Sequence, residues 1–223
     1  MSDAARRARY LDALGIDRWV PRAPVLQTAA VPTDEWPVLE QAVSECTRCA
    51  LHTCRTRTVF GTGDRHAEWM VIGEAPGAEE DRQGEPFVGA AGQLLTAMLA
   101  AIELPRERVF IANILKCRPP DNRDPKPDEV AECLPYLQQQ VALVRPRIIL
   151  AVGRVAAQNL LGTDRPLGSL RGQIHRFGPL NTPVIVTYHP AYLLRSPGEK
   201  RKAWEDLKFA RRSFAELSAS TSV

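Results

Sequence analysis

The sequence of 223 residues contains no run of eighteen apolar residues and no apolar signal-peptide core at its amino terminus. Membrane insertion and secretion are therefore not expected, and we predict a cytoplasmic protein. A strong charge of one sign is also missing, because 29 basic and 26 acidic residues leave a net charge of +3. A nucleic-acid partner can thus be inferred only from local clusters of basic residues.

Cysteine is scarce and odd in number, with five residues in the chain. In a reducing compartment such a set indicates a metal site and one spare thiol rather than a disulfide framework. Cys46 and Cys49 form a Cys-x-x-Cys pair, whereas Cys117 and Cys133 follow later with fifteen residues between them. On spacing alone, zinc and a four-iron cluster are both compatible with these four thiolates. Cys54 is left over as a free thiol or a packed residue.

The composition predicts one folded domain with a segment at each end. Residues 4–19 carry apolar positions at helical spacing, and residues 21–37 contain four prolines, which suit an extended linker. We assign residues 1–36 to an N-terminal extension, which is a candidate binding segment for a protein partner. Residues 37–217 form the domain, and residues 218–223 are expected to be a disordered tail.

Apolar runs alternate with helical patterns through the domain, which predicts an α/β fold. Strands are expected at 69–73, 108–114, 147–153 and 183–188. Helices are expected from about Val38, from near Gly92, from Pro127 with a kink at Pro135, at 155–161 and at 199–217. We therefore predict a three-layer αβα architecture with a central four-stranded parallel sheet.

The stretch from Val71 to Gly89 is the centre of the predicted site. A buried strand is followed by a Gly/Pro-rich loop and then by a periodic helix. In an open α/β sheet, ligands bind in the crevice outside the carboxyl ends of the strands. Glu74 and Phe87 lie in that loop, which is the candidate active site.

Three of the four predicted strands end in a polar side chain: Glu74, Asn113 and His189. Each of them alone has an ordinary structural explanation, as a turn or a loop residue. Together they converge on one edge of the sheet, beside the aromatic ring of Phe87. A stacking face, an amide edge and an imidazole donor are suited to holding a flat heterocycle.

Four motifs resemble those of family 4 uracil-DNA glycosylases, the iron–sulfur branch of that superfamily. They are Gly73-Glu74-Ala75-Pro76-Gly77, Glu85-Pro86-Phe87-Val88-Gly89, Asn113-Ile114-Leu115-Lys116-Cys117-Arg118-Pro119 and His189-Pro190-Ala191-Tyr192-Leu193-Leu194-Arg195. The resemblance covers about residues 46–211 in the order and spacing of the family. It implies a uracil-DNA glycosylase-like fold. It also implies an enzyme that extrudes uracil from single- or double-stranded DNA and hydrolyses its N-glycosidic bond, which initiates base excision repair.

The resemblance assigns roles to the residues of the site. Phe87 would stack on the extruded uracil, and the Asn113 amide would read the pyrimidine edge, rejecting cytosine. His189 would stabilise negative charge near the uracil O2. The substrate loop would include Gly73, Ala75 and Gly77.

Water activation departs from the best-known branch of the superfamily. An aspartate does this work there, and the matching position here is Ala75. Glu74 is the nearest carboxylate, and we expect it to position the water or to stabilise the oxocarbenium-like sugar. Gly77 stands where that branch places a bulky aromatic residue that excludes thymine.

The His189–Arg195 motif also implies a contact with DNA. Leu193, Leu194 and Arg195 resemble the loop that wedges into the duplex and holds the target base out. Further basic side chains are expected on loops or at a helix start near the same edge, where they could bind phosphates. They are Arg118, Arg123, Lys126, Arg171, Arg176 and residues 200–202.

The resemblance favours a structural [4Fe–4S] cluster over zinc, with Cys46, Cys49, Cys117 and Cys133 as its ligands. The predicted partner is uracil-containing DNA, and we expect a monomer. Two rivals are a relative that captures uracil-DNA covalently through a histidine and a non-catalytic iron–sulfur DNA-binding module. The first would carry a Lys/Arg-rich, His-bearing insertion, but the loop after Cys117 has no histidine.

Overall fold

The computed structural model describes residues 36–219. The predicted N-terminal helix, the linker up to residue 35 and the last four residues of the predicted tail lie outside this range. Within it, no helix is long and apolar enough to cross a membrane.

A six-stranded sheet forms the centre of the fold. Its strands are β1 (Thr62–Gly63), β2 (Trp69–Gly73), β3 (Val109–Asn113), β4 (Ile148–Val152), β5 (His175–Phe177) and β6 (Thr182–Thr187). The order across the sheet is β1-β3-β2-β4-β6-β5. The four inner strands are parallel, and the two short edge strands pair antiparallel to their neighbours.

Eight α-helices surround this sheet in the described part of the chain. They are α1 (Trp36–Ser44), α2 (Ala78–Gln83), α3 (Ala90–Ala100), α4 (Pro127–Val144), α5 (Arg154–Leu161), α6 (Leu167–Leu170), α7 (Pro190–Arg195) and α8 (Lys200–Ala219). Helix α4 begins with a proline, and the Glu129 carboxylate accepts a hydrogen bond from the Lys126 backbone N–H at 2.8 Å. Proline and an acidic residue are both favoured in the first turn of a helix.

Side chains of the parallel strands alternate between the two faces of the sheet. Trp69 and Val71 belong to a core cluster with residues of α3, α7 and α8. Met70 and Ile72 belong to a second cluster, with residues of α1, α4, α5 and α6. Every residue of the four inner strands is buried, as expected for parallel strands covered on both faces.

The connections leave a crevice at the carboxyl end of β2. Helix α3, which follows β2, packs on one face of the sheet, and α4 and α5, which follow β3 and β4, pack on the other. Neighbouring strands whose connections leave in opposite directions open a ligand-binding crevice in folds of this type.

The predicted three-layer αβα fold with four parallel strands is confirmed, and the sheet carries two further edge strands. Both edge strands are only two or three residues long, so they leave no readable alternation in the sequence. Helix α2 was predicted as loop, because its buried side chain is Asp81 rather than an apolar residue. Helix α4 continues as one element through Pro135.

Candidate active site

Strands β2 and β3 are neighbours, and their carboxyl ends bring the predicted site residues Glu74 and Asn113 close to each other. Gly73 pairs with Asn113, and beyond the strands Leu115 N–H donates to the Glu74 carbonyl at 3.0 Å. Gly73 has no room for a side chain. A Cβ there would lie 2.4 Å from Asn113 Oδ1 and 2.7 Å from Phe87 Cζ. The glycine therefore allows the amide and the aromatic ring to meet over the end of β2.

Phe87 is held in an uncommon backbone conformation. Its φ is 55°, in the left-handed region, and its side chain is 7% exposed. A Cβ on Gly92 would lie 1.7 Å from the Phe87 carbonyl oxygen, so helix α3 contacts this backbone directly. The Phe87 ring centroid lies 5.6 Å from that of His189, with the planes tilted by 31°. Strain of this kind is found at sites where the surrounding structure fixes a functional side chain.

Asn113 presents a polar atom that no other described residue satisfies. Its side chain is 2% exposed, and its Oδ1 has no hydrogen-bond partner among residues 36–219. Its backbone carbonyl accepts a hydrogen bond from Lys116 Nζ at 2.9 Å, and the same buried ammonium donates to Gln140 Oε1 at 2.6 Å. A buried acceptor without a partner is costly, so Oδ1 is suited to a donor supplied by a ligand.

His189 is set up as a neutral hydrogen-bond donor. Its Nδ1 accepts a hydrogen bond from the Ala191 backbone N–H at 3.1 Å, which assigns the proton of the neutral ring to Nε2. Burial, and then the positive charge of Arg195, lower the pKa of His189 to about 4. The ring is therefore uncharged near neutral pH and keeps one N–H for the cleft.

Glu74 is a half-buried carboxyl group that also lines the cleft. Burial, and then the negative charge of Asp124, raise its pKa from 4.5 to about 7, against a smaller lowering by Arg154. Asp124 and Arg154 form an ion pair with each other. Glu74 can therefore exist in either protonation state near neutral pH.

Two acidic residues that were not among the predicted site residues, Glu80 and Asp81, stabilise the loop after β2. Glu80 Oε2 accepts from Gly77 N–H at 3.1 Å, and its Oε1 accepts from the N–H groups of Val88 and Gly89 at 3.1 and 3.3 Å. Asp81 accepts from the backbone N–H of Thr56 at 2.9 Å. For Glu80, the signal available in the sequence was its place three residues after Gly77, which caps α2.

These elements enclose an open cleft of about 400 Å³. Ala75 and Gly77 line it, and a Cβ on Gly77 would lie 2.7 Å from Glu80 Oε2. The full lining consists of Glu74, Ala75, Pro76, Gly77, Glu80, Phe87, Ala91, Asn113, Pro119, Asn122, Arg123, Asp124, His189, Ala191 and Arg195. The four predicted residues Glu74, Phe87, Asn113 and His189 are thus together at one cavity.

The predicted wedge is a short helix, α7, and only part of it can reach DNA. Leu194 is 44% exposed, and Arg195 is exposed at the cleft. Leu193 is 1% exposed and belongs to the core cluster with α3 and α8, so its position does not support the predicted contact with DNA. On a helix of this length, consecutive residues point in different directions, and one of them anchors the element.

The predicted phosphate-binding residues separate into different environments. The Arg171 guanidinium donates to both carboxylate oxygens of the buried Asp206, at 2.7 and 2.9 Å, and does not line the cleft. Its direct contact with phosphate is therefore not supported. Arg118 is partly exposed after β3, where its Nε donates to Asn122 Oδ1 at 2.8 Å. Arg176 pairs in register with Pro183, near the end of β6 that lies away from the cleft.

The four predicted cysteine ligands line one small cavity between α1, α4 and the segment after β3. Arg55 Nη1 donates to Cys117 Sγ at 3.2 Å, and Lys116 N–H donates to Cys133 Sγ at 3.2 Å. Cys54 is exposed and does not line this cavity. In residues 36–219, no three Cys, His, Asp or Glu side chains lie close enough together to hold a single metal ion.

A family model described as the uracil DNA glycosylase superfamily matches residues 60–208. The chain belongs to this superfamily. A type-4 uracil-DNA glycosylase of Archaeoglobus fulgidus is 46% identical over 173 residues, which cover 74% of this chain and 86% of the relative. Type-4 enzymes of Pyrobaculum aerophilum and Thermotoga maritima are 42% and 40% identical, covering 76% and 78% of this chain and 89% and 92% of the relatives.

The part of the chain matched by the uracil DNA glycosylase superfamily contains all four residues that meet at the cleft. It also contains Cys117 and Cys133, whereas Cys46 and Cys49 precede it. The site of this superfamily member is therefore built on the shared fold, and the Cys-x-x-Cys pair is added from an N-terminal segment.

Proposed function

We propose that this member of the superfamily is a uracil-DNA glycosylase that hydrolyses the N-glycosidic bond of uracil in DNA and so initiates base excision repair. The observation that carries this proposal is that Asn113 Oδ1, in the cleft lined also by Phe87, has no hydrogen-bond partner within residues 36–219. The names of the relatives support the same activity.

The Asn113 amide fits the hydrogen-bonding edge of uracil. Its Oδ1 would accept from the uracil N3–H, and its Nδ2 would donate to the O4 carbonyl. Cytosine presents an acceptor at N3 and an amino group at C4, so both contacts would become mismatched. The Asn113 backbone carbonyl accepts from Lys116 Nζ, which holds the strand end that carries this amide in place. The Phe87 ring would stack on the pyrimidine.

The bond between C1′ and N1 breaks with its electron pair moving onto the uracil ring. His189 Nε2–H would donate to O2, where this negative charge accumulates, and a neutral donor suits an anion that leaves without a proton. Water then adds to C1′ and loses a proton. An ionised Glu74 would orient this water or stabilise the positive sugar. The adjacent position is Ala75, which has no carboxylate to do this work.

We further propose that Cys46, Cys49, Cys117 and Cys133 hold a structural [4Fe–4S] cluster. Each iron of such a cluster takes its own thiolate, so the ligands surround a cavity instead of meeting at one point. This matches four cysteines around one cavity. The cluster would tie α1 to the sheet and take no part in the reaction.

On the DNA side, Leu194 would fill the space of the extruded base, and Arg195 and Arg118 would contact phosphates. We propose a monomeric, cytoplasmic enzyme, with the N-terminal extension as a segment that could bind a protein partner. Arg171 takes no part in this proposed DNA contact.

The test uses an end-labelled oligonucleotide with a single uracil, both single-stranded and paired with guanine. We expect a break at the uracil only after alkali treatment, since hydrolysis leaves an abasic site. A matched oligonucleotide with cytosine at that position is the control. A denaturant-resistant, slowly migrating band would instead indicate covalent capture, and unchanged DNA in both forms would contradict a glycosylase.

The cluster proposal has a separate test. Protein purified without oxygen should contain about four iron atoms per chain and absorb visible light, as expected for the cluster named above. A colourless, zinc-containing protein that remains fully active would contradict it.

A further inference from the structure

Two tyrosines form a stack at the rim of the cleft that the reaction does not use. The ring centroids of Tyr188 and Tyr192 lie 5.3 Å apart, and the angle between the ring planes is 18°. Each is a chain neighbour of a residue that lines the cleft, because Tyr188 precedes His189 and Tyr192 follows Ala191. Tyr192 is 38% exposed, although one side of its ring lies against Tyr188.

Within this stack, the Tyr188 ring is held in place by Arg171. The Arg171 guanidinium lies over the Tyr188 ring, 4.6 Å from its centroid, and is itself held by the bidentate pair with Asp206. Asp206 also accepts from Thr187 Oγ1 at 2.9 Å, at the end of β6. Tyr188 therefore has a rigid support, and Tyr192 extends this support toward solvent.

The position of the stack on α7 relates it to the proposed wedge. Leu193 anchors the helix in the core, and Tyr192 and Leu194 are its neighbours on either side. Exposed basic residues begin α8 close by, and Lys202 presents its backbone carbonyl to Arg171 at 2.8 Å. An ordered aromatic ring beside exposed cations is the arrangement with which proteins bind bases and phosphates of a single strand.

We propose that the exposed side of Tyr192 is a stacking platform for the nucleobase next to the extruded uracil in the same strand. This inference rests on the proposed function, because it places the uracil in the adjacent cleft. A base that loses its neighbour by extrusion exposes a π-face, and the platform replaces the lost stacking. Every base has such a face, so the contact holds the strand without selecting a sequence.

The platform also gives Arg171 a role that its geometry allows. Arg171 does not reach the cleft, yet it orients Tyr188 and, through it, Tyr192. It is thus a positioning residue for the strand.

The experiment places 2-aminopurine, a fluorescent base, on the 5′ or the 3′ side of the uracil in a single-stranded oligonucleotide. The uracil nucleotide carries a 2′-fluorine, which disfavours the positive sugar and keeps the substrate intact. Wild-type protein is compared with Tyr192→Ala, with Tyr192→Phe, which keeps the ring, and with Leu180→Ala. Leu180 is a matched control, because it is exposed and lies in the turn between β5 and β6, at the other end of β6.

We expect the complex with Tyr192→Ala to be brighter than the wild-type complex at one of the two flanking positions, because stacking on tyrosine quenches 2-aminopurine. Binding measured by anisotropy should weaken about tenfold in Tyr192→Ala, as for the loss of one stacked base, and stay unchanged in Tyr192→Phe and Leu180→Ala. Equal brightness of all four proteins at both positions would overturn the proposal. The proposal would also be overturned if Tyr192→Phe weakened binding as much as Tyr192→Ala does.

The outcome is separable from that of the proposed function. Excision is measured on the same sequences without fluorine, so a protein that binds and quenches but does not excise would contradict only the glycosylase activity. Normal excision with no flank-specific quenching would contradict only the platform. Thermal melting of each variant shows whether it is folded, and Tyr192→Phe reports on the ring even where the alanine variant melts early.

Discussion

The raised pKa of Glu74 leads to a specific pH dependence of the reaction. If the ionised carboxylate is the working form, a pKa of about 7 leaves about one molecule in eleven active at pH 6 and about ten in eleven at pH 8. The single-turnover rate of uracil excision should therefore rise about tenfold over this range and then level off. His189, with a pKa of about 4, should contribute no change there.

The variant Glu74→Gln separates this group from all others. We expect its rate to be about a hundredfold lower than that of the wild type at pH 8, within the usual range for a lost acid–base group, and to be flat with pH. Binding of DNA should be nearly unchanged. A wild-type profile that is flat from pH 6 to 8, or a variant that keeps the tenfold rise, would refute the assignment of Glu74.

The neighbours of Glu74 give the prediction a direction that can be checked. Asp124 raises the pKa of Glu74 and Arg154 lowers it, so Asp124→Asn should move the midpoint of the profile to lower pH and Arg154→Ala to higher pH. Shifts in the opposite directions would mean that another group titrates.

The same pKa has a consequence for stability. Glu74 has a higher pKa in the folded than in the unfolded chain, so folding favours its protonated form, and its ionisation destabilises the fold as the pH rises from 4.5 through 7. Glu74→Gln should therefore melt at a higher temperature than the wild type at pH 8 and at nearly the same temperature at pH 4.5.

Three further predictions follow from burial. Leu193→Ala should lower the free energy of unfolding by about 2–5 kcal/mol in a denaturant titration, whereas Leu194→Ala should change it by less than about 0.5 kcal/mol. Leu194→Ala should instead slow the excision of uracil from duplex DNA more than from single-stranded DNA. Lys116→Met leaves two buried acceptors unpaired and should destabilise the fold by about 2 kcal/mol while raising KM for uracil-DNA, and an unchanged KM would contradict the role of Lys116 in holding Asn113. Cys117→Ser should lower the iron content measured by mass spectrometry, whereas Cys54→Ser should leave it unchanged.

The parallel strands were predictable because burial on both faces makes each a nearly continuous apolar run. All four were located within about two residues of their observed bounds. Helix α3 begins at Ala90, slightly before the predicted start near Gly92. Ala90 and Ala91 add nothing to the apolar period from which the helix was predicted. The short edge strands could not be read, because they form by pairing with a neighbour and leave no local pattern. The local signal for α2 was limited to the acid three residues after Gly77, since its buried side chain is a carboxylate rather than an apolar group.

The convergence of Glu74, Asn113 and His189 could be predicted from topology alone, because each lies at or just after the carboxyl end of a parallel strand. Which neighbouring side chains point outward could not. Leu193 and Leu194 look equivalent in the sequence, and only the packing of α7 on the core separates them. Arg171 likewise reads as a free cation until Asp206, 35 residues later, is brought to it by α8.

The two short antiparallel strands at the margins of the sheet also affect how molecules of this protein meet each other. A strand of two or three residues offers few unpaired amide and carbonyl groups, so another chain finds little template for extending the sheet. The four strands that bury the core are flanked by these short strands on either side. This arrangement disfavours strand-to-strand aggregation in a crowded solution.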